Sequence, residues 1–137
     1  MSCSNAQLAE ARRINILIVE DDMINAFIFQ KYLTEVYNVY LANTSETLSD
    51  ILHQVPIDLI LMDINLDSIQ ANGAELLPDL RANFPWQQFK AVALTAFSED
   101  EYKKIYREVR FDAFCQKPLT KEKLLGIVES TLKQSCV

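Results

Sequence analysis

The feature that most constrains this chain is a regular alternation of short apolar runs with longer segments of helical period. The apolar runs are strand candidates, and they lie at 14–20, 37–42, 57–62, 89–95 and 112–115. The segments between and after them are helix candidates at 23–35, 45–54, 73–83, 99–109 and 120–134. The runs INILIV, IDLILM and KAVALT are nearly continuous in apolar residues, which is typical of strands covered on both faces.

Strict alternation of strand and helix predicts parallel strands joined by right-handed crossovers. We therefore expect an α/β fold, a three-layer α/β/α sandwich. A five-stranded, doubly wound parallel sheet in the order 2-1-3-4-5 would suit a chain of this length. A chain of 137 residues, half of them hydrophobic, suits one domain of this kind. We expect that domain over 14–135, preceded by a polar N-terminal extension over 1–13.

Composition argues against several classes of function. A net charge of −6 and a pI near 4.7 disfavour direct binding to nucleic acid or to an anionic membrane. No apolar run approaches the roughly 20 residues of a membrane helix, and the first residues lack the apolar core of a secretory signal. Three cysteines without paired spacing predict reduced thiols and hence a cytoplasmic protein. The only glycines, Gly73 and Gly126, are too few for a glycine-rich phosphate loop.

Polar residues stand where the predicted strands end, and ligands of such sheets bind beyond the carboxyl ends of the strands. Glu20 and Asp21 close the first run and Asp63 closes the third. Thr95 ends the fourth run, and Lys117 follows the fifth. Each residue alone has an ordinary structural explanation as a turn, cap or loop residue. A site is indicated because all of them are expected at the same edge of the sheet. Asp22, just beyond the acidic pair, remains a candidate helix cap.

These residues resemble the receiver domain of two-component response regulators, a CheY-like, flavodoxin-like family, over about 14–134. The stretches that carry the resemblance are ILIVEDD, DLILMDINL, ALTA and KPL. The spacing from Thr95 to Lys117 fits the family, as does Phe114, an aromatic shortly before the lysine. VEDDMIN, which contains Asn25, is further similar to receivers of hybrid kinases and phosphorelays.

The resemblance implies that Asp63 accepts a phosphoryl group from a phosphohistidine of a sensor histidine kinase or a histidine phosphotransfer protein. Glu20, Asp21 and Asp63 would hold Mg²⁺ together with the backbone carbonyl of Asn65 and water, and Mn²⁺ could substitute. The charges agree with this, because two carboxylates about 4 Å apart repel by roughly 4 kcal/mol at an effective dielectric constant of 20. Oxygen ligands alone favour a hard cation such as Mg²⁺.

The same resemblance gives roles to residues at the other strand ends. Thr95 and Lys117 would contact the phosphoryl oxygens, and Phe114 would be an aromatic switch that follows the state of Thr95. A cis peptide is suggested between Lys117 and Pro118, where trans is otherwise the default. Metal and ammonium would balance the charge on the phosphoryl oxygens while an aspartate oxygen attacks the phosphorus in line.

Parts of the sequence depart from the family pattern. The segment after Asp63, INLDSIQANGAELL, is longer than usual, and Arg110 stands where glycine is common. We also hypothesise that Asn65 and Phe97, each two residues past a site residue, tune dephosphorylation by controlling the path of water. His53, the only histidine, is expected on the solvated surface, so the donor histidine would belong to another protein.

The leading hypothesis is a stand-alone, single-domain response regulator that relays the phosphoryl group or switches contacts with a downstream protein of unknown identity. It would be no enzyme beyond assisting its own phosphorylation and dephosphorylation. One alternative is a degenerate receiver that acts as an interaction module independently of phosphorylation. The other is a Mg²⁺-dependent phosphatase working through an aspartyl phosphate, which typically needs a second acid where this chain has Asn65.

Overall fold

The computed structural model describes residues 13–64, 73–96, 98, 100 and 111–134, and for 73–75 the backbone only. Within these residues the chain forms five strands and four helices. In chain order they are β1 (Asn15–Val19), α1 (Met23–Leu33), β2 (Asn38–Ala42), α2 (Ser45–Gln54), β3 (Leu59–Ile64), α3 (Gly73–Asn83), β4 (Lys90–Thr95), β5 (Ala113–Gln116) and α4 (Lys121–Lys133). The predicted helix over 99–109 falls, except for residue 100, outside this part of the chain.

The strands form one parallel sheet in the order β2-β1-β3-β4-β5, which confirms the predicted topology. Alternate residues of β1 enter different cores, because neighbouring side chains on a strand point to opposite faces. Ile16 and Ile18 join a cluster beneath α1 and α4, while Leu17 joins a cluster beneath α2 and α3. Apolar side chains thus cover both faces of the sheet, as in a three-layer sandwich.

The boundaries of β3 differ most from the prediction, which placed this strand at 57–62. The strand begins and ends two residues later, so that Asp63 and Ile64 pair within the sheet with Leu94 and Thr95. Ile57 is buried, but its N–H donates to Oε1 of Gln87 at 2.9 Å instead of to a neighbouring strand. An apolar run does not distinguish such a flanking residue from a paired one.

Hydroxyl and carboxylate side chains cap the helices that begin at the carboxyl edge of the sheet. Asp22 Oδ1 accepts from the N–H groups of Ile24 and Asn25 at 3.0 and 3.3 Å, which confirms Asp22 as a cap residue. Thr44 caps α2 and Thr120 caps α4 in the same manner. These caps satisfy backbone N–H groups that a helix start leaves without partners.

The opposite edge of the sheet carries an aromatic cluster of His53, Phe84 and Trp86. The His53 ring lies 5.0 Å from the ring of Phe84 and 6.0 Å from that of Trp86, measured between centroids. His53 is exposed, as expected, but its ring contacts were not predicted because they join α2 to the segment after α3. None of the helices in the described ranges is long and apolar enough to cross a lipid bilayer.

Candidate functional site

Three carboxylates meet at the carboxyl edge of the sheet, where the sequence predicted a site. Glu20 directly follows β1, Asp21 comes next, and Asp63 lies near the end of the adjacent strand β3. One oxygen of each carboxylate lies within 4.8 Å of the others. Glu20 is buried, Asp63 is partly buried and Asp21 is exposed, so that the cluster opens to solvent on the Asp21 side.

Glu20 is the member of this cluster that the fold removes from water. Its Oε2 accepts a hydrogen bond from the N–H of Asp22 at 3.2 Å. Its Oε1 is buried and has no hydrogen-bond partner among the described residues. Burial, followed by the nearby charge of Asp63, raises the pKa of Glu20 to about 7. A buried carboxylate oxygen that lacks a donor is a position that a cation can satisfy.

Lys117 approaches the same cluster from the end of β5. Its ammonium donates to Oδ1 of Asp63, and the two groups form an ion pair. Its backbone N–H donates to the carbonyl of Thr95 at 2.7 Å, which ties it to the end of β4. Thr95 is completely buried and pairs in register with Ile64 on one side and Gln116 on the other. The peptide bond between Lys117 and Pro118 is cis.

The charges of the assembled groups suit a divalent cation. With all groups ionised, the carboxylates of Glu20, Asp21 and Asp63 exceed the ammonium of Lys117 by two negative charges. Every donor in the cluster is an oxygen, and hard cations such as Mg²⁺ prefer oxygen ligands. The residues present therefore fit the metal that the sequence implied, and the orphaned Oε1 of Glu20 supports that fit.

Comparison with known proteins decides the family. Residues 16–129 match the family model of the response regulator receiver domain. The chain belongs to this family. Receiver domains are signalling domains, generally not classed as enzymes, and they interact with histidine kinases or histidine phosphotransfer proteins.

Relatives and solved structures agree with that assignment. The chain is 31% identical to Two-component response regulator 24 of Arabidopsis thaliana, covering 88% of this chain and 85% of the relative. It resembles the crystal structure of the TorR receiver domain, from the TMAO respiratory system, with a TM-score of 0.73 at 30% identity, covering 88% of this chain and 98% of the other. A CheY-like receiver domain protein from Methanospirillum hungatei JF-1 gives a TM-score of 0.73 at 26% identity, covering 89% and 95%.

The receiver spans only part of several relatives. It covers 52%, 37% and 40% of the length of three curated relatives, among them a probable transcriptional regulator and a stress response regulator. The names of these relatives describe whole proteins, of which this chain matches only a part.

The structure describes the predicted switch residue Phe114 but not the predicted tuning residues Asn65 and Phe97. Phe114 lies in β5 opposite Ala93 and lines a groove between β5 and α4. Asn65, Phe97 and Arg110 lie outside the described residues, so their predicted roles stay predictions.

Sequence reasoning missed an apolar surface beside the site. α1 exposes Met23, Ile24, Phe27 and Ile28, with exposed fractions of 72% for Ile24 and 55% for Phe27. The helix starts next to Asp22, so this surface borders the acidic cluster. The signal was the stretch MINAFIF, which is apolar except for Asn25 and so extends beyond the single apolar stripe of a surface helix.

Proposed function

We propose that Asp63 accepts a phosphoryl group from a partner's phosphohistidine in a Mg²⁺-dependent reaction, and that this controls protein contacts or passes the group onward. One observation carries the proposal: the carboxylates of Glu20, Asp21 and Asp63 meet around the ammonium of Lys117 at the carboxyl edge of the sheet. A structural ion pair alone does not require two further carboxylates beside it, one of them buried.

The chemistry is an in-line displacement at phosphorus. A carboxylate oxygen of Asp63 forms the new P–O bond while the P–N bond to the donor imidazole breaks, and the imidazole leaves with its electron pair. The Lys117 ammonium, which donates a hydrogen bond to Asp63, is placed to neutralise the charge of a phosphoryl oxygen. The Thr95 hydroxyl is the candidate for a second contact with the phosphoryl group.

Glu20, Asp21 and Asp63 would hold Mg²⁺, or Mn²⁺ in its place, with the predicted carbonyl of Asn65. When bound, the metal supplies positive charge to the phosphoryl oxygens. Glu20 is suited to the role because its buried Oε1 has no hydrogen-bond partner in the described part of the chain.

The partner that donates the group is proposed to be a sensor histidine kinase or a histidine phosphotransfer protein. A donor histidine must come within bonding distance of Asp63, so its protein covers the rim of the site. The exposed apolar face of α1, defined by Met23, Ile24, Phe27 and Ile28, forms part of that rim. An apolar surface beside a charged centre suits a protein partner better than a small anion.

The test is to incubate the chain with Mg²⁺ and phosphoramidate, a donor that needs no partner protein. We expect an acid-stable, base-labile adduct on Asp63 that is absent in Asp63→Asn and absent when Mg²⁺ is chelated. Asp50→Asn, the same change at an exposed position of α2, is the matched control and should behave as wild type. A wild-type chain that forms no adduct would refute the proposal, and steady turnover of an added phosphoester would favour the phosphatase.

A further inference from the structure

Lys123 occupies a helix position that local chemistry does not explain. Its N–H donates to Oγ1 of the cap residue Thr120 at 3.1 Å, so it is the third residue of α4. Glutamate or glutamine is favoured there, because its side chain can return to the cap N–H. A cation in the first turn also opposes the helix dipole. A lysine at this position is therefore expected to contact another part of the fold.

That contact is with the segment that carries Lys117. The ammonium of Lys123 donates to the carbonyl of Gln116 at 2.6 Å and lies 3.5 Å from the carbonyl of Pro118. These two carbonyls flank Lys117 on either side. Hydrogen bonds from a charged donor are stronger than those between neutral groups, and here one donor reaches both carbonyls.

The opposite side of this segment is held by the end of β4. The N–H of Lys117 donates to the carbonyl of Thr95 at 2.7 Å, and Nε2 of Gln116 reaches the carbonyl of Ala96 at 3.4 Å. The backbone around Lys117 is thus fixed by β4 on one side and by Lys123 on the other. From this fixed backbone the Lys117 side chain reaches Asp63.

We propose that Lys123 is a positioning residue for phosphoryl transfer: its ammonium clamps the two carbonyls around Lys117 and so fixes the Lys117 ammonium at Asp63. The inference rests on the proposed phosphoacceptor function of Asp63. It also makes α4 a part of the site, because the first turn of this helix supplies the clamp. Misplacing a reacting group by about 1 Å can cost up to roughly 100-fold in rate. Lys123 can therefore affect the rate of phosphoryl transfer although it does not contact the reacting groups.

The experiment compares Lys123→Met with Lys121→Met. Lys121 lies in the same turn of α4 and loses the same charge, but its ammonium lies 3.8 Å from Glu35 and not against the Lys117 segment. The measurement is the first-order rate constant of phosphorylation at saturating Mg²⁺ and phosphoramidate. We expect Lys123→Met to lower this constant roughly five- to tenfold and Lys121→Met to change it less than about twofold. Lys123→Arg should recover most of the rate, because guanidinium also donates to carbonyls.

A second measurement separates positioning from a general structural effect. The Kd for Mg²⁺, measured by calorimetry without phosphodonor, should stay within about twofold of wild type in Lys123→Met, because the metal carboxylates are untouched. A rate equal to that of Lys121→Met, no recovery in Lys123→Arg, or a matching loss of Mg²⁺ affinity would overturn the inference. If the wild type itself forms no Asp63 adduct, the proposed function fails; if it does and Lys123→Met equals wild type, only this inference fails.

Discussion

At the scale of single residues, Glu20 is a carboxylate that the fold buries beside two other carboxylates. The side chain is only 3% exposed, and its neighbours Asp21 and Asp63 carry the same charge. Each of these influences favours the protonated form, and the hydrogen bond from Asp22 and the charge of Lys117 offset them in part. The balance raises the pKa to about 7, so in the absence of metal this carboxyl holds a proton over much of the acidic range.

This shift predicts a pH dependence of stability. The folded chain holds the Glu20 proton up to about pH 7, whereas the unfolded chain releases it near 4.5. Folding therefore takes up a proton between these values, and the free energy of unfolding should fall as pH rises through them. Urea unfolding in EDTA should show this decline in wild type relative to Glu20→Gln. Saturating Mg²⁺ should flatten it, and a decline that persists equally in Glu20→Gln would assign it to another group.

Asp21 and Asp22 are adjacent carboxylates with different predicted roles. Asp21→Ala removes a proposed metal ligand, so we expect the Kd for Mg²⁺ to rise about tenfold or more, with phosphorylation slowed accordingly. Asp22→Ala removes the cap of α1, so we expect a loss of about 1 kcal/mol of stability and little change in Mg²⁺ affinity. Calorimetric titration and thermal unfolding of the two variants provide the measurements. Equal effects on Mg²⁺ affinity would show that the metal pair is assigned one residue out of register.

At the scale of elements, α1 has two apolar faces but packs through only one. Ala26, Phe29 and Leu33 are buried against the sheet, while Ile24 and Phe27 are exposed. A surface helix normally needs only one apolar stripe, and further apolar side chains are usually covered as well. The second face is therefore expected to be covered when a protein donor binds.

The double change Ile24→Ser and Phe27→Ser tests that expectation. Transfer from a phosphorylated histidine phosphotransfer protein that is active on wild type should slow by roughly tenfold or more, because apolar anchors dominate interface energies. Phosphorylation by phosphoramidate should be unchanged. Val36→Ser is the control, since Val36 is 54% exposed but lies beyond the far end of α1. Equal slowing with both donors would indicate damage to the site instead of to docking.

α4 contains a glycine in its interior that packing does not require. Gly126 is exposed, and a Cβ built there would meet nothing within 4 Å among the described atoms. Glycine inside a helix costs about 0.5–1 kcal/mol relative to alanine. Gly126→Ala should therefore stabilise the chain by about that amount in denaturant unfolding, with phosphorylation unchanged. A loss of stability would mean that the added methyl group meets a neighbour.

At the scale of the whole molecule, the strand order and the edge that carries the site followed from sequence alone. The alternation of strand and helix patterns predicted a parallel sheet, and the sheet brings residues as distant as Asp63 and Lys117 together. The limits of β3 did not follow, because hydrophobicity marks burial and not pairing. Ile57 is buried, yet its N–H is bonded by the side chain of Gln87.

Contacts between elements were the part that sequence patterns could not supply. The clamp formed by Lys123 depends on where α4 starts relative to the end of β5. The exposed face of α1 also escaped prediction, because Ile24 and Phe27 have the same apolar character as buried residues. Burial and partner choice are properties of the packed molecule, and a local window of sequence contains neither.

The aromatic cluster at the other edge of the sheet gives this protein a built-in optical reporter. Trp86 is the only tryptophan, and it sits against Phe84 and His53 with a strand length of about 20 Å between this edge and the carboxylates. Its fluorescence should change when the chain unfolds, and much less when Mg²⁺ or a phosphoryl group arrives. A large response to Mg²⁺ in the native state would show that the two ends of the sheet are coupled. Without such a response, Trp86 fluorescence can report the folding equilibrium while phosphorylation is measured by another method.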